Sequence, residues 1–294
     1  MTSSQDSTER TPRIAIMGEF SAGKSTLCNL LMNMRALPEK VTATRLAPVW
    51  MTKGPGEHMR VTTDGTEEPV TIGKLGEIPF EDTLYIRLRL EADILDHCDF
   101  IDFPGISDPN MDPDVWARVL VEADAVIWLT HATQAWRQSE AAVWDIVPEE
   151  VRKKSILLAT RFDKVVSEQD RTRVMQRLNR EAGPHFAGVF PISLTNAMAA
   201  RDDYDKWAAS GVVEVMDHLT DLITDLATAD APEASEDGDK TLTPRPAPVS
   251  VKTVGPAQPV KDETPETPSG PRVLPRRVTL SGTPRRARPT AISA

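Results

Sequence analysis

Between residues 13 and 226, short apolar runs alternate with longer amphipathic ones. Arg13 to Met17, Ala125 to Thr130, Ser155 to Thr160 and Phe186 to Ile192 are too short for buried helices and too apolar for one-sided strands, so they read as strands covered on both faces. Helices are expected over Lys24 to Met34, Asp114 to Ala123, Ser139 to Ile146, Glu168 to Ala182 and Val212 to Leu226. In the last of these, Val212, Val215, Met216, Leu219, Leu222, Ile223 and Leu226 recur at helical spacing and mark a helix packed on the sheet. The order predicts an α/β fold, a mostly parallel sheet flanked by helices. Residues 46 to 101 differ: alternating segments at His58 to Thr63 and Leu84 to Leu90, with an Asp64-Gly65 turn signal, predict added antiparallel strands.

The pattern stops after Ala229. The last aromatic is Trp207, and half of the 24 prolines lie between Pro232 and Pro289, so residues 230–294 are expected to be disordered, as are residues 1–12. The net charge of −10 divides unevenly: the 64 residues from Ala231 carry ten Lys/Arg against seven Asp/Glu, a net of +3, which leaves −13 for the rest. An acidic domain argues against nucleic acid as a partner, because phosphate contacts need clustered cations. In the tail the acids end at Glu266, and Arg272, Arg276, Arg277, Arg285, Arg286 and Arg288 follow. Three readings of this basic end stay open: an anionic membrane surface, an acidic protein partner, or a solubilising tail. There is no signal-peptide pattern and no spanning apolar run, so the expected location is cytoplasmic, with peripheral membrane attachment as an option. Cys28 and Cys98 sit in apolar patterns without metal or redox spacing and read as reduced core thiols.

The first strand runs into Gly18-Glu19-Phe20-Ser21-Ala22-Gly23-Lys24-Ser25-Thr26, and a helix follows. Gly, four residues, then Gly-Lys-Ser is the phosphate-cradling loop. Backbone N–H groups and a helix N-terminus meet the phosphates, Lys24 reaches the β and γ groups, and the Ser25 hydroxyl binds Mg2+. Asp102-Phe103-Pro104-Gly105 ends another apolar run, which places the Asp102 carboxylate at the metal and the Gly105 N–H at the γ-phosphate. Thr160-Arg161-Phe162-Asp163 selects the base: Asp163 can accept from the ring N–H and the exocyclic amine of guanine, a donor pair that adenine lacks. Arg161, in place of the usual Lys, can stack on the base. Ser193 and Leu194, after the final strand, are candidates for a backbone contact to guanine. The loop from Leu37 to Arg45 offers Thr44, and second Thr42, to complete the metal shell.

These strings resemble the GTPase domain of the dynamin superfamily, especially the bacterial dynamin-like proteins, over roughly residues 12–229. The resemblance rests on Gly18 to Thr26, Leu37-Pro38 with the Thr-rich segment to Thr44, Asp102 to Ile106, and Thr160 to Asp163. It implies hydrolysis of GTP to GDP with Mg2+, and a Ser21 that helps hold a charge-compensating cation and the attacking water. It further implies turnover stimulated when two GTPase domains form a homodimer. Phe20 stands where eukaryotic members usually have Gln. Ser107 occupies the position of the water-orienting Gln of Ras-like enzymes, so Ser21, Lys24 and Thr44 are the catalytic candidates. The helical neck and stalk of the family are not visible, and scission by a coat is not expected of this chain alone. The alternative is a slow switch, Era-like or septum-related, that recruits a partner through its tail. The segment after His131 reads either as a contact between GTPase domains or as a loop anchored by Trp136, and Trp116 and Trp144 as core or partner-facing.

Overall fold

The computed structural model describes residues 10–33, 47–106, 113–134, 136–200 and 202–229. In chain order these form β1 (Arg13–Gly18), α1 (Lys24–Leu31), β2 (Val49–Lys53), β3 (His58–Thr62), β4 (Glu67–Val70), β5 (Thr83–Leu90), β6 (Asp99–Asp102) and α2 (Pro113–Leu120). There follow β7 (Ala125–His131), α3 (Gln138–Trp144), α4 (Glu149–Arg152), β8 (Ile156–Thr160), α5 (Glu168–Glu181), β9 (Gly188–Pro191), α6 (Leu194–Ala199), α7 (Tyr204–Ala209) and α8 (Val212–Ala229).

One sheet runs β4-β3-β5-β2-β6-β1-β7-β8-β9. From β6 to β9 all neighbours are parallel. Strand β1 shows why its run is continuously apolar. Ile14 and Ile16 point into a core with α1 and α8, Ala15 and Met17 into one with α2 and α3, and all four are fully buried. In α8 the stripe lies as expected, with Val212, Val215, Leu219, Leu222 and Leu226 buried and Met216 and Ile223 packed beside them.

The other half of the sheet reverses direction. β2 is antiparallel to β6 but parallel to β5, and β3 is antiparallel to both β5 and β4. The Asp64-Gly65 turn therefore closes the β3–β4 hairpin and does not lead to β5. Gly65 has φ 89°, its N–H donates to the Thr62 carbonyl at 3.0 Å, and the Thr66 N–H donates to Asp64 Oδ1 at 3.0 Å. Cys28 and Cys98 are free and buried, and burial pushes both thiols upward, which keeps them protonated and inert. Among the described residues no helix is long and apolar enough to cross a membrane.

Candidate nucleotide site

The carboxyl ends of β1, β6 and β8 converge where the direction of the chain connections reverses, the usual place for a site in an open α/β sheet. A cleft of about 440 Å³ opens there. It is lined by the loop from Phe20 to Thr26, by Asp102 to Gly105, by Thr160, Arg161, Asp163 and Lys164, and by Leu194 and Thr195.

The loop is held in a conformation that few sequences could adopt. Gly18 has φ 140°, and a Cβ there would sit 2.1 Å from the Leu129 carbonyl of β7. Gly23, the N-cap of α1, has φ 101°, and Ser21 takes φ 58° without being glycine. Three tethers fix Ser21 and its neighbours. Ala22 N–H closes a turn onto the Glu19 carbonyl at 3.2 Å, an Arg161 guanidinium nitrogen donates to the Ser21 carbonyl at 2.9 Å, and Thr160 Oγ1 donates to the Ala22 carbonyl at 2.8 Å. Arg161 thus reaches the phosphate loop, which the base-stacking expectation did not include. Gly105 packs against the same loop: a Cβ there would meet the Phe20 Cα and N at 3.0 Å, while the Ile106 N–H donates to the Gly18 carbonyl at 3.2 Å.

Charge is concentrated at the base of the cleft. Lys24 Nζ donates to the Gly18 and Glu19 carbonyls at 3.1 and 3.0 Å. Burial lowers its pKa, and the Asp102 charge opposes that. Asp102 is itself buried, and burial pushes its carboxyl up to about 7 against the attraction of Lys24. Asp102 Oδ1 is buried without a hydrogen-bond partner. An orphaned buried carboxylate oxygen is costly unless a ligand completes it. With the Ser25 side chain in the same cleft, the donor set is all oxygen and fits a hard divalent cation such as Mg2+. The described residues hold no cluster of three or more His, Cys, Asp or Glu that could grip a metal unaided.

Asp163 lies on the same cleft and is pre-oriented. Ser193 Oγ donates to its Oδ1 at 2.7 Å and Lys164 Nζ sits 3.1 Å from its Oδ2. Burial pulls this carboxyl upward, but the Ser193 and Lys164 contacts outweigh it and leave it below the usual value, hence ionised. Ser193 is buried outside the cleft lining, and its backbone N–H is already donated to the Ser210 carbonyl at 2.9 Å. It therefore acts on Asp163 through its side chain, while Leu194 reaches the cleft. Gly18 and Glu19 form the back of the loop and do not line it. Thr42, Thr44 and Ser107 lie outside the described residues.

Sequence reasoning missed what stands behind the loop. Glu140 of α3 is buried, accepting from Trp128 Nε1 and Thr130 Oγ1 at 3.1 Å each and from the Arg137 N–H at 2.9 Å. Burial raises its pKa despite these donors. Trp136 meets Trp128 and Phe186 edge-on, at centroid distances of 6.2 and 5.4 Å, which is the anchoring role. Trp116 and Trp144 are core residues. The one local signal was Glu140 itself, at the third helical position, where an acid can cap the helix start.

This fold and loop define the class, a P-loop GTPase fold. A family model described as "Dynamin family" matches residues 14–145. Among curated proteins, the chain is 25% identical over 226 residues to Dynamin-like protein 2 of Campylobacter jejuni, a match covering 74% of this chain and 36% of that one. It is also 25% identical over 224 residues to GTPase Era of Fusobacterium nucleatum, covering 73% and 61%. Two solved structures of an oligomerised bacterial dynamin pair, described as sensing and tethering membranes at long range, align with TM-scores of 0.53 and 0.57. Identity to them is 19% and 20%, and each alignment covers 76% of this chain and 36% of the other. Residues 14–145 are thus similar to the dynamin family, on a P-loop GTPase fold. The chain spans between about a third and three fifths of the length of these curated relatives.

Proposed function

We propose that this cleft binds Mg2+–GTP and hydrolyses its β–γ bond. The observation that carries the reading is one cleft lined by Lys24, the partnerless Asp102 and the pre-ionised Asp163. Lys24 and the loop N–H groups receive the phosphates, Ser25 and Asp102 hold the cation with Thr44, and Asp163 accepts the two guanine donors. Bound there, Mg2+ neutralises charge developing on the phosphate oxygens. Ser21, held at positive φ, lines the cleft, in keeping with a role near the attacking water. The domain taken to do this is 13–229.

Equilibrium binding of a fluorescent GDP, displaced by GTP and by ATP, tests the reading. Displacement by GTP at least a hundredfold more effective than by ATP is expected, since adenine offers Asp163 no donor pair to match the two of guanine. Equal displacement would overturn guanine selection.

Turnover stimulated by a homodimer of the GTPase domain is part of the same proposal, supported by the match of residues 14–145 to the dynamin family model. It predicts that the rate per molecule rises with protein concentration. Peripheral attachment to anionic membrane through Arg272 to Arg288 is a further part of the proposal, supported by the charge of that segment. Equal pelleting with anionic liposomes of the full chain and of a chain ending at Ala229 would remove it.

A further inference from the structure

The second residue of the phosphate loop, Glu19, is a carboxylate only 7% exposed, an expensive group to bury beside a site for polyanions. It points away from the cleft, toward the start of α3. Ser139 Oγ donates to Glu19 Oε1 at 3.2 Å, and an Arg137 guanidinium nitrogen stands 3.9 Å from the same oxygen. The segment that supplies these partners is itself stitched down. Trp136 N–H donates to Thr130 Oγ1 at 3.3 Å, Thr130 Oγ1 donates to Glu140 Oε2 at 3.1 Å, and that Glu140 oxygen also accepts the Arg137 N–H. Thr160 Oγ1, which holds the Ala22 carbonyl, lies 3.1 Å from the Thr130 carbonyl. The loop thus rests on one hydrogen-bonded frame at both of its ends.

The frame matters because of Lys24. Its ammonium now holds the front half of the loop through the Gly18 and Glu19 carbonyls. Under the function proposed above, on which this inference rests, the three donors of that ammonium must serve phosphate oxygens as well as the two carbonyls, so its hold on the loop is shared. The back half keeps Arg161 on Ser21 and Thr160 on Ala22. The front half keeps the Glu19 side chain. We infer that Glu19 is a positioning residue, braced by Ser139 and Arg137 of the α3 start, which holds the phosphate loop in its binding conformation while Lys24 also serves the nucleotide.

Ser139 is exposed, so Ser139→Ala is a surface change that leaves folding intact. Losing one hydrogen bond to a charged acceptor is expected to weaken fluorescent-GDP binding roughly threefold to tenfold and to raise the KM for GTP by the same factor with kcat held. Ser139→Thr restores the hydroxyl and is expected within about twofold of wild type. In a Glu19→Ala background, Ser139→Ala is expected to have no further effect. Wild-type affinity in Ser139→Ala, failure of Ser139→Thr to restore it, or full additivity with Glu19→Ala would each overturn the brace. Failure of the wild-type protein to bind guanine nucleotide would instead overturn the functional reading beneath it.

Discussion

Asp102→Asn in the metal-free and nucleotide-free protein isolates the strain stored at the base of the cleft. In the folded chain, burial holds the Asp102 carboxyl at about 7, against an ordinary 3.8. The folded state therefore binds this proton more tightly than the unfolded one. The stability from Asp102 is fully present below about pH 4 and is lost as pH rises through about 7. The interval corresponds to roughly 4 kcal/mol over the whole titration, of which about 3 kcal/mol falls between pH 4.5 and 8. Asparagine does not titrate, and the other ionisable groups are common to both proteins.

The quantity to follow is the difference in unfolding free energy between Asp102→Asn and wild type, measured by urea denaturation in EDTA at several pH values. That difference is expected to move by about 3 kcal/mol in favour of the variant from pH 4.5 to pH 8. Exchange of the neutral carboxyl for an amide adds an offset of either sign that does not vary with pH, and the attraction of Lys24 is already contained in the value of about 7. The slope alone is therefore diagnostic. A difference flat to within about 1 kcal/mol would refute the claim that Asp102 is an uncompensated buried acid awaiting a cation.

Three further substitutions probe how the site is held. Gly18→Ala places a methyl against the Leu129 carbonyl and should destabilise the fold by about 3 kcal/mol or more in thermal or urea melts, since both atoms belong to the central sheet. Ser193→Ala frees Asp163 and uncaps α6, so guanine-nucleotide affinity should fall about tenfold alongside a loss of about 1 kcal/mol in stability. Trp136→Ala removes two edge-on aromatic contacts and should cost about 2 kcal/mol, read by urea denaturation.

The parallel half of the sheet was legible because its strands are buried on both faces, which leaves runs such as Ile14 to Met17 with no polar interruption. Strand β4 was not: it is an edge strand of Glu67, Glu68, Pro69 and Val70, largely exposed, and pairing to β3 rather than burial creates it. The six-residue helices α6 and α7 carry too few turns for a periodic stripe. Each depends on a capping side chain, Ser193 or Asp203. At the site, Lys24, Ser25, Asp102 and Asp163 could be read from sequence because backbone geometry ties each to a strand end. The Glu19–Ser139 contact joins residues 120 positions apart and leaves no local trace, and the same holds for Arg161 reaching Ser21 across the cleft. The Ser193 contact to Asp163 left no trace in the sequence for a related reason. The Ser193 backbone N–H is committed to Ser210, a pairing that only the packed α7–α8 junction reveals.

Single-turnover hydrolysis of GTP with Mg2+, comparing wild type with Lys24→Ala, tests the central claim most directly. The account predicts conversion to GDP and phosphate by wild type that EDTA abolishes, with Lys24→Ala slower by at least a hundredfold, because Lys24 is the half-buried cation of the proposed phosphate cradle. Hydrolysis at equal rates by both proteins, or none by wild type that has bound GTP, would contradict it.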